Sequence, residues 1–420
     1  MQKNSKKAWV VLIGVGLAML VVQGICTNCL GVLYTGMAED MAAPSSAIML
    51  FSTFKAVTMT LMMPFLGKLL AKSKNPKLLF ILSAIDAAAA YMLLSVVNSL
   101  PALYAVGVLA GLGSGLMLYM CVPYFVNSWF ADKGPLAMGI AFAISSAGSM
   151  IFSPIAASII SADGWRACAL RLGLVTLIVA VGALVVFVRV VKDPSERYGA
   201  AKAAEAAKAT ANVADTTAAP LTGVSTKVAL KSPTFYLTWL FIFSFYFIGN
   251  MLMHIPSCAV SFGYSLLLAS TLVSVVSATG IVVQFCLGGV VAKFGWFKTV
   301  CLGMVTGLLA AIFWLMGKNG DNSVIMYVAS VAYAMCVGMP QVVCPLMVRD
   351  VFGDKDFTSI WSKLATAISL SGALGVPALA LVYNLSGTYV TSLYALMGFV
   401  VLTFVCLLGA KLTSKKLVKD

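Results

Sequence analysis

The long apolar runs of this sequence contain four charged or titratable residues, Lys55, Asp86, Lys363 and His254. In such a run, a group of this kind needs a partner or a function. A charged side chain at the centre of an apolar slab costs about 3 kcal/mol on insertion scales. A lysine in such a place can bind an anion, and a carboxylate or an imidazole can carry a proton. These four residues are therefore the candidates for chemistry.

Two interpretations of Lys55 and Asp86 are open. Each lies about ten residues into its own apolar run, and the two runs are neighbours in sequence. Adjacent antiparallel helices would place both residues near mid-depth, where they could form a structural ion pair. Alternatively, Lys55 faces a cavity as an anion site and Asp86 carries a proton. Lys363, about two helical turns into its run, is either a substrate contact or a lysine that snorkels to the interface.

His254 is the only histidine, and it lies two residues before the helix-breaking Pro256. Because imidazole titrates near physiological pH, His254 is either a proton-responsive gate residue or a packing histidine. Arg171, one or two turns from an outer helix end, is predicted to be an interfacial or gate residue. A single histidine without a Cys/His cluster forms no metal site, so we expect neither metal nor cofactor.

The elements that must position these residues are transmembrane helices. The chain has 420 residues, of which 61% are hydrophobic and 10% are charged. A soluble domain has about 25% charged residues, so the surrounding solvent is expected to be a lipid bilayer. The apolar runs predict twelve spans, at residues 9–34, 46–71, 77–98, 101–126, 135–160, 168–191, 234–260, 266–292, 297–317, 323–349, 358–384 and 388–411.

The basic residues concentrate on one side of these predicted spans. With the N-terminus inside, cytoplasmic segments and helix ends hold 23 of the 28 Lys and Arg residues. The net charge of +14 is therefore explained by the positive-inside rule, and we expect no nucleic-acid partner. Both termini are predicted to be cytoplasmic. The first apolar run is too long for a cleavable signal, and eleven more runs follow it.

The chain repeats one pattern after about 222 residues. Phe130-Ala-Asp-Lys returns as Phe352-Gly-Asp-Lys, and Pro123 returns as Pro345. Each half holds six predicted spans, an even number, so both halves enter the membrane in the same orientation as parallel repeats. We predict an N-terminal six-helix bundle over 1–191, a cytoplasmic linker over 192–231 and a C-terminal six-helix bundle over 232–420.

Two short strings resemble functional motifs but are predicted to be packing residues. Gly111-Leu-Gly113-Ser-Gly115 lies inside the fourth span and not between a strand and a helix, so it is expected to let helices approach closely. Cys26-Thr-Asn-Cys29 has redox-motif spacing, but it lies inside the first span with no α/β context.

The region from the fourth to the sixth span carries a recognisable pattern. It consists of Trp129-Phe130-Ala-Asp-Lys133, Leu136-Ala-Met-Gly139-Ile140, Gly148, Pro154 and Gly164-Trp165-Arg166, with His254-Ile-Pro256 further along. On these motifs the chain resembles the major facilitator superfamily, and within it the branch of monocarboxylate carriers and oxalate–formate antiporters. The resemblance implies an all-α integral membrane fold of two six-helix bundles that works by alternating access.

The sequence departs from that branch at two kinds of position. Ala71 and Ala292 stand where the loop between the second and third spans of each half usually carries an acid. Gln284 and Gly280 stand where carboxylate carriers of the branch tend to have an arginine and, in monocarboxylate carriers, an acid one turn earlier. A guanidinium binds a carboxylate through two charged hydrogen bonds and a carboxamide does not, so the role of the arginine does not carry over to Gln284.

The resemblance also implies which helices border a central cavity, the second and eleventh spans among them. An aromatic wall with a few polar groups suits a small organic molecule. Each candidate on those helices has core packing as its alternative role. Besides Lys55 and Lys363, the candidates are Asn28, Tyr34, Tyr119, Tyr246, Asn250, Gln284 and Tyr333.

The excess of cationic over anionic groups in the spans, Lys55 and Lys363 against Asp86, favours an anionic substrate. We predict a secondary transporter of a small organic acid, working as a proton symporter or an anion exchanger, and not an enzyme. One alternative is a neutral or zwitterionic metabolite, which Gln284 favours, and another is a non-transporting membrane sensor. We expect a monomer in the plasma membrane, by resemblance a bacterial inner membrane.

Overall fold

The computed structural model describes residues 2–43, 45–130, 133–190, 223–320 and 322–414. Within these ranges the chain is nearly all helical, as the sequence predicts, and an isolated bridge joins Gly223 and Gly353. Of the predicted linker, residues 192–222 lie outside the described residues. The described chain forms two compact units.

Unit 1 contains the described residues up to Gly223 together with the segment Gly353–Ser362. Helix α1 packs along α7, and α3 packs along α5. The elements of the first stretch are α1 (Gln2–Gln23), the π-helical turn π1 (Gly24–Asn28), α2 (Leu30–Asp40), α3 (Ser45–Lys72), α4 (Pro76–Leu93), a 3-10 turn (Leu94–Val96), α5 (Leu100–Gly115), the second π-helical turn π2 (Leu116–Met120), α6 (Cys121–Trp129) and α7 (Gly134–Val186).

Unit 2 contains Val224–Phe352 and the described residues from Lys363 onward. Helix α9 packs against α17, and α12 packs against α13. The elements are α8 (Thr226–Lys231), α9 (Pro233–Gly249), a 3-10 turn (Asn250–His254), α10 (Ile255–Ser261), α11 (Leu266–Phe294), α12 (Trp296–Met316), α13 (Ser323–Val337), α14 (Pro340–Phe352), α15 (Phe357–Leu364, shared with unit 1), α16 (Thr366–Ser386) and α17 (Tyr389–Ser414).

Eleven helices of the described chain are long and apolar enough to cross a membrane, where the sequence predicts twelve. The difference lies in α7, a helix of 53 residues. Such a helix is about 80 Å long, whereas a bilayer core is about 30 Å thick. The chain is broken inside α7 at Gly164, with φ 82° and ψ 169°. The loop predicted between residues 160 and 168 is thus a break at one glycine.

Four of the spans are interrupted near their middle, at corresponding places in the sequence. The first contains π1, the fourth contains π2, the seventh contains the 3-10 turn Asn250–His254, and the tenth is divided at residues 338–339 between α13 and α14. Interruptions of this kind remove regular i→i−4 bonds and make main-chain groups available for other contacts. They are the part of the fold that positions the candidate site.

Small residues let the helices of unit 1 approach closely. A Cβ at Gly111 would lie 2.6 Å from the carbonyl oxygen of Lys55, and one at Gly107 would lie 2.8 Å from that of Phe51. The predicted packing role of the glycines in the fourth span is therefore confirmed. Beside π1, a Cβ at Gly24 would lie 2.7 Å from the main chain of Gly148, so α7 crosses the first span at π1.

Candidate functional site

Lys55 is the only Lys, Arg, Asp or Glu among the buried residues of the described chain, with 7% of its surface exposed. Its Nζ donates a hydrogen bond to the carbonyl oxygen of Cys26 at 3.0 Å and lies 3.5 Å from Thr27 Oγ1. Both acceptors belong to π1 and both are neutral. Because an ammonium has three N–H donors, these contacts leave one donor unused among the described residues.

Asp86 is half-buried on α4 and does not neutralise Lys55. Its Oδ2 accepts a hydrogen bond from the main-chain N–H of Gly113 at 3.0 Å. Salt bridges do form elsewhere in the described chain, for example Arg166–Asp40 and Arg171–Asp163. The structural ion pair between Lys55 and Asp86 that the sequence left open is therefore not formed, because α5 takes up the carboxylate.

The neighbour of Asp86 on α4, Ser83, is inserted into the interrupted fourth span. Its Oγ donates to the carbonyl oxygen of Gly113 at 2.7 Å and accepts from the N–H of Met117 at 3.1 Å. In a regular α-helix those two main-chain groups would bond to each other directly. Sequence reasoning missed Ser83, and the only signal was the glycine-rich run on the helix opposite it.

Asn28 and Tyr34 lie on the same interrupted span as the acceptors of Lys55. Asn28, which is exposed, donates from Nδ2 to Ser149 Oγ at 3.0 Å. The hydroxyl of Tyr34 is hydrogen-bonded to Ser52 Oγ, one turn before Lys55 on α3. The structure therefore brings Asn28, Tyr34 and Lys55 to one interface, that of the first span with its neighbours.

Tyr119 lies in π2 and is half-buried. Its carbonyl oxygen accepts a hydrogen bond from the indole Nε1 of Trp361 at 2.8 Å. Trp361 is 1% exposed and belongs to the segment of unit 1 that comes from late in the sequence. Sequence reasoning missed Trp361, although it lies two residues before Lys363.

In unit 2 the candidates around the interrupted seventh span bond to main-chain carbonyls. Asn250 Nδ2 lies 3.1 Å from the carbonyl oxygen of Ser371 and 3.3 Å from that of Tyr246. The Tyr333 hydroxyl, on a side chain with no exposed surface, donates to the carbonyl oxygen of Ile248 at 2.8 Å. His254 is buried, and its Nε2 lies 3.2 Å from the carbonyl oxygen of Val376.

The remaining candidates of unit 2 lie on three different helices. Gln284 is buried on α11, and Tyr246 is half-buried on α9. Lys363 is half-buried in the last turn of α15, immediately before the chain changes helix at Ala365. Each of the three residues makes at least one hydrogen bond, ion pair, ring contact or electrostatic interaction.

Arg171 is exposed, and its Nη1 lies 2.5 Å from Asp163 Oδ2. The neighbouring Arg166 pairs with Asp40, donates to Asn98 Oδ1 at 2.6 Å and lies 4.5 Å over the ring of Trp165. Around the break at Gly164, the Arg171–Asp163 pair joins the two parts of α7, and Arg166 joins the second part to the ends of neighbouring helices.

The sequence profile of the Major Facilitator Superfamily matches residues 16–376. The chain belongs to the Major Facilitator Superfamily. It is therefore a multi-pass membrane transporter and not an enzyme.

Two relatives of this major facilitator lie in the branch that the sequence motifs indicate, which confirms that resemblance. The oxalate:formate antiporter of Oxalobacter formigenes is 26% identical over 333 residues, which is 76% of this chain and 72% of the antiporter. Monocarboxylate transporter 12-B of Danio rerio is 28% identical over 166 residues, which is 39% of this chain and 34% of that protein.

Solved structures of other major facilitators share the fold. The proton:xylose symporter XylE matches with a TM-score of 0.69 at 13% identity, over 96% of this chain and 95% of the symporter. The human organic anion transporter MFSD10 matches with a TM-score of 0.68 at 16% identity, over 95% and 99% of the two chains. At these identities the comparison establishes the fold alone.

Proposed function

We propose that this major facilitator is a secondary active transporter of a small organic anion, working by alternating access as a proton symporter or an anion exchanger. The observation that carries the proposal is the environment of Lys55. Its ammonium group is buried and is bound by a carbonyl and a hydroxyl of π1, and among the described residues no carboxylate forms a salt bridge with it. The names of both relatives in the branch, oxalate:formate antiporter and monocarboxylate transporter, refer to carboxylates.

A buried charge is costly unless it is paired, and neutral acceptors solvate the ammonium without cancelling its charge. A carboxylate that approaches the third N–H of Lys55 would supply the missing negative charge. In a low-dielectric surrounding, such a charge-assisted bond is stronger than the same bond in water. The site therefore favours an anion over a neutral molecule of the same size.

The proposal includes twelve crossings, because the break at Gly164 leaves a stretch on each side of it that exceeds the roughly 20 residues needed to span a bilayer. An even number of crossings puts both termini on one side, the cytoplasmic side by the distribution of Lys and Arg. We also propose two bundles, over residues 1–191 and 232–420, joined by a linker over residues 192–231. We further propose a bacterial inner membrane as the location and a monomer as the working form.

The other contacts proposed for the substrate are Lys363, Gln284, Asn28, Tyr34, Tyr119, Tyr246 and Asn250, and the coupling or gate candidates are His254 and Arg171. The role of Asp86 follows from the bonding of its carboxylate to the main chain of Gly113. A neutral or zwitterionic substrate is the second candidate. The buried carboxamide of Gln284 favours it, because an amide binds neutral polar groups as readily as it binds anions.

The test is ligand binding and uptake by the purified, reconstituted protein. A panel of small carboxylates, amino acids and sugars is screened by thermal stabilisation, where a ligand at 100 times its Kd adds about 2.7 kcal/mol to the stability of the folded state. Uptake of each hit into liposomes is then compared for the wild type, Lys55→Ala and, as the control, Lys318→Ala at an exposed lysine. The proposal is supported if a carboxylate stabilises the wild type and Lys318→Ala but does not stabilise Lys55→Ala.

A response limited to neutral or zwitterionic compounds, shared by both variants, would overturn the organic-anion proposal. It would leave the assignment to the superfamily unchanged. A proton gradient and a trans-side anion, applied separately, distinguish symport from exchange.

A further inference from the structure

We infer that Ser83 and Asp86 are positioning residues that hold the interruption of the fourth span in place, so that Tyr119 can bond to Trp361. On this inference Asp86 acts as a hydrogen-bond acceptor and not as a proton carrier or an ion partner of Lys55. The inference rests on the proposed transport function, because its consequence is an effect on turnover.

Ser83 on α4 bridges two main-chain groups of the fourth span. The Ser83 hydroxyl replaces one main-chain hydrogen bond of the helix, because it bonds to both the carbonyl of Gly113 and the N–H of Met117. A side chain inserted between these groups is one of the recognised causes of a helix interruption. The π-helical turn π2 begins three residues after Gly113, at Leu116.

Asp86, one turn further along the same helix, bonds to the main chain of the fourth span as well. The carboxylate accepts the N–H of Gly113, and the N–H of Ser114 contributes as well. A Cβ at Gly113 would lie 2.9 Å from Asp86 Oδ2, so only glycine lets the carboxylate come this close to the main chain. The charged side chain near Asp86 is Lys55 on α3, which bonds to π1 instead.

The π-helical turn π2 is in contact with a segment from late in the sequence. The Tyr119 carbonyl within π2 receives the indole N–H of the fully buried Trp361. Trp361 lies on α15, and a Cβ at Gly67 on α3 would overlap with the side chain of the next residue, Ser362. The segment Gly353–Ser362 therefore rests on π2 and α3 within unit 1. Because conformational steps set many turnover rates, we expect the geometry of these contacts to affect Vmax more than KM.

The experiment measures Vmax, KM and the pH profile of anion uptake in liposomes for Asp86→Asn, Asp86→Ala, Ser83→Ala, Trp361→Phe and the double variant Ser83→Ala/Trp361→Phe. Asparagine keeps an oxygen that can accept the N–H of Gly113, so Asp86→Asn should retain the Vmax and the pH profile of the wild type. Asp86→Ala and Ser83→Ala should lower Vmax about tenfold and change KM by less than about twofold, the loss expected for one hydrogen bond to a buried group. Ser158→Ala is the control, because that serine is exposed and bonds only within its own helix.

The double variant should lose no more activity than the worse of its two single variants, because Ser83 and Trp361 act through the same turn. Additive losses would overturn the link between Ser83 and Trp361. A loss of proton-driven uptake in Asp86→Asn, with anion exchange intact, would show that Asp86 is a proton carrier and would overturn its role as an acceptor.

The same cycle, measured as thermal stability of the purified variants, needs no substrate. Non-additive stability losses for Ser83→Ala and Trp361→Phe support the positioning role even if every anion fails to be transported, in which case only the proposed function falls. Additive losses of stability contradict the positioning role whether or not an anion is transported.

Discussion

The ammonium group of Lys55 donates a hydrogen bond to the main-chain carbonyl of Cys26 at 3.0 Å. The acceptor lies in a π-helical turn, so an interruption in the first span solvates a charge carried by the second. The arrangement resembles the use of broken helices in transporters, where unwound main chain replaces water at membrane depth.

Replacing Lys55 by methionine separates stability from function. Lys55→Met removes a buried charge and keeps an unbranched apolar chain, so the purified protein should be as stable as the wild type or more stable. Its affinity for the transported anion should fall at least about tenfold, because one charge-assisted hydrogen bond is lost. Thermal scans with and without the anion measure both effects, and Lys318→Met is the matched control. An anion affinity equal to that of the wild type would contradict the assignment of Lys55.

Gly148→Ala should destabilise unit 1 by about 1–3 kcal/mol, since a Cβ at Gly148 would overlap with the carbonyl oxygen of Leu20 where α7 crosses the first span. Gly182→Ala, on the same helix, is the control because a Cβ there meets nothing within 4 Å. That variant should be neutral or slightly stabilising. Unfolding in mixed micelles measures the difference, and equal stabilities of the two variants would refute the tight crossing.

Replacement by asparagine should affect protein stability differently at Gly387 and at Gly164. Gly387 has φ 70° and ψ 3°, the left-handed helical region that asparagine tolerates, so Gly387→Asn should cost less than about 1 kcal/mol. Gly164 has φ 82° and ψ 169°, a region open essentially only to glycine, so Gly164→Asn should cost about 1–3 kcal/mol. A Cβ meets nothing within 4 Å at either position, so the comparison isolates main-chain conformation. The prediction fails if Gly387→Asn is the less stable variant.

Tyr333→Phe should reduce stability without changing transport. The lost hydroxyl bonds to the carbonyl oxygen of Ile248 on a fully buried side chain, which is worth about 0.5–1.5 kcal/mol. KM for the anion should stay within about twofold of the wild type, because the hydroxyl has no exposed surface. A selective rise in KM at unchanged stability would instead make Tyr333 a substrate contact.

The sequence predicted the nearly all-helical membrane fold and the superfamily, because apolar run length, charge distribution and motif spacing are properties of the chain alone. It also predicted that the glycines of the fourth span are packing residues, and the approach of Lys55 and Phe51 to that helix confirms this. It placed Lys55 at mid-depth, yet it left open whether Asp86 is its partner. Both residues lie at similar positions along neighbouring runs, and helical periodicity does not state which acceptor each side chain reaches.

Only the tertiary structure decided which partners these polar groups have. Asp86 bonds to the main chain of Gly113 and leaves Lys55 to the π-helical turn, because the interruptions in the first and fourth spans offer acceptors and donors that a regular helix would have used internally. The side chains of Ser83 and Trp361 likewise bond to main-chain groups of the interrupted fourth span. A hydropathy pattern indicates that a helix crosses the membrane. Which main-chain hydrogen bonds of that helix are interrupted depends on the helices that pack beside it.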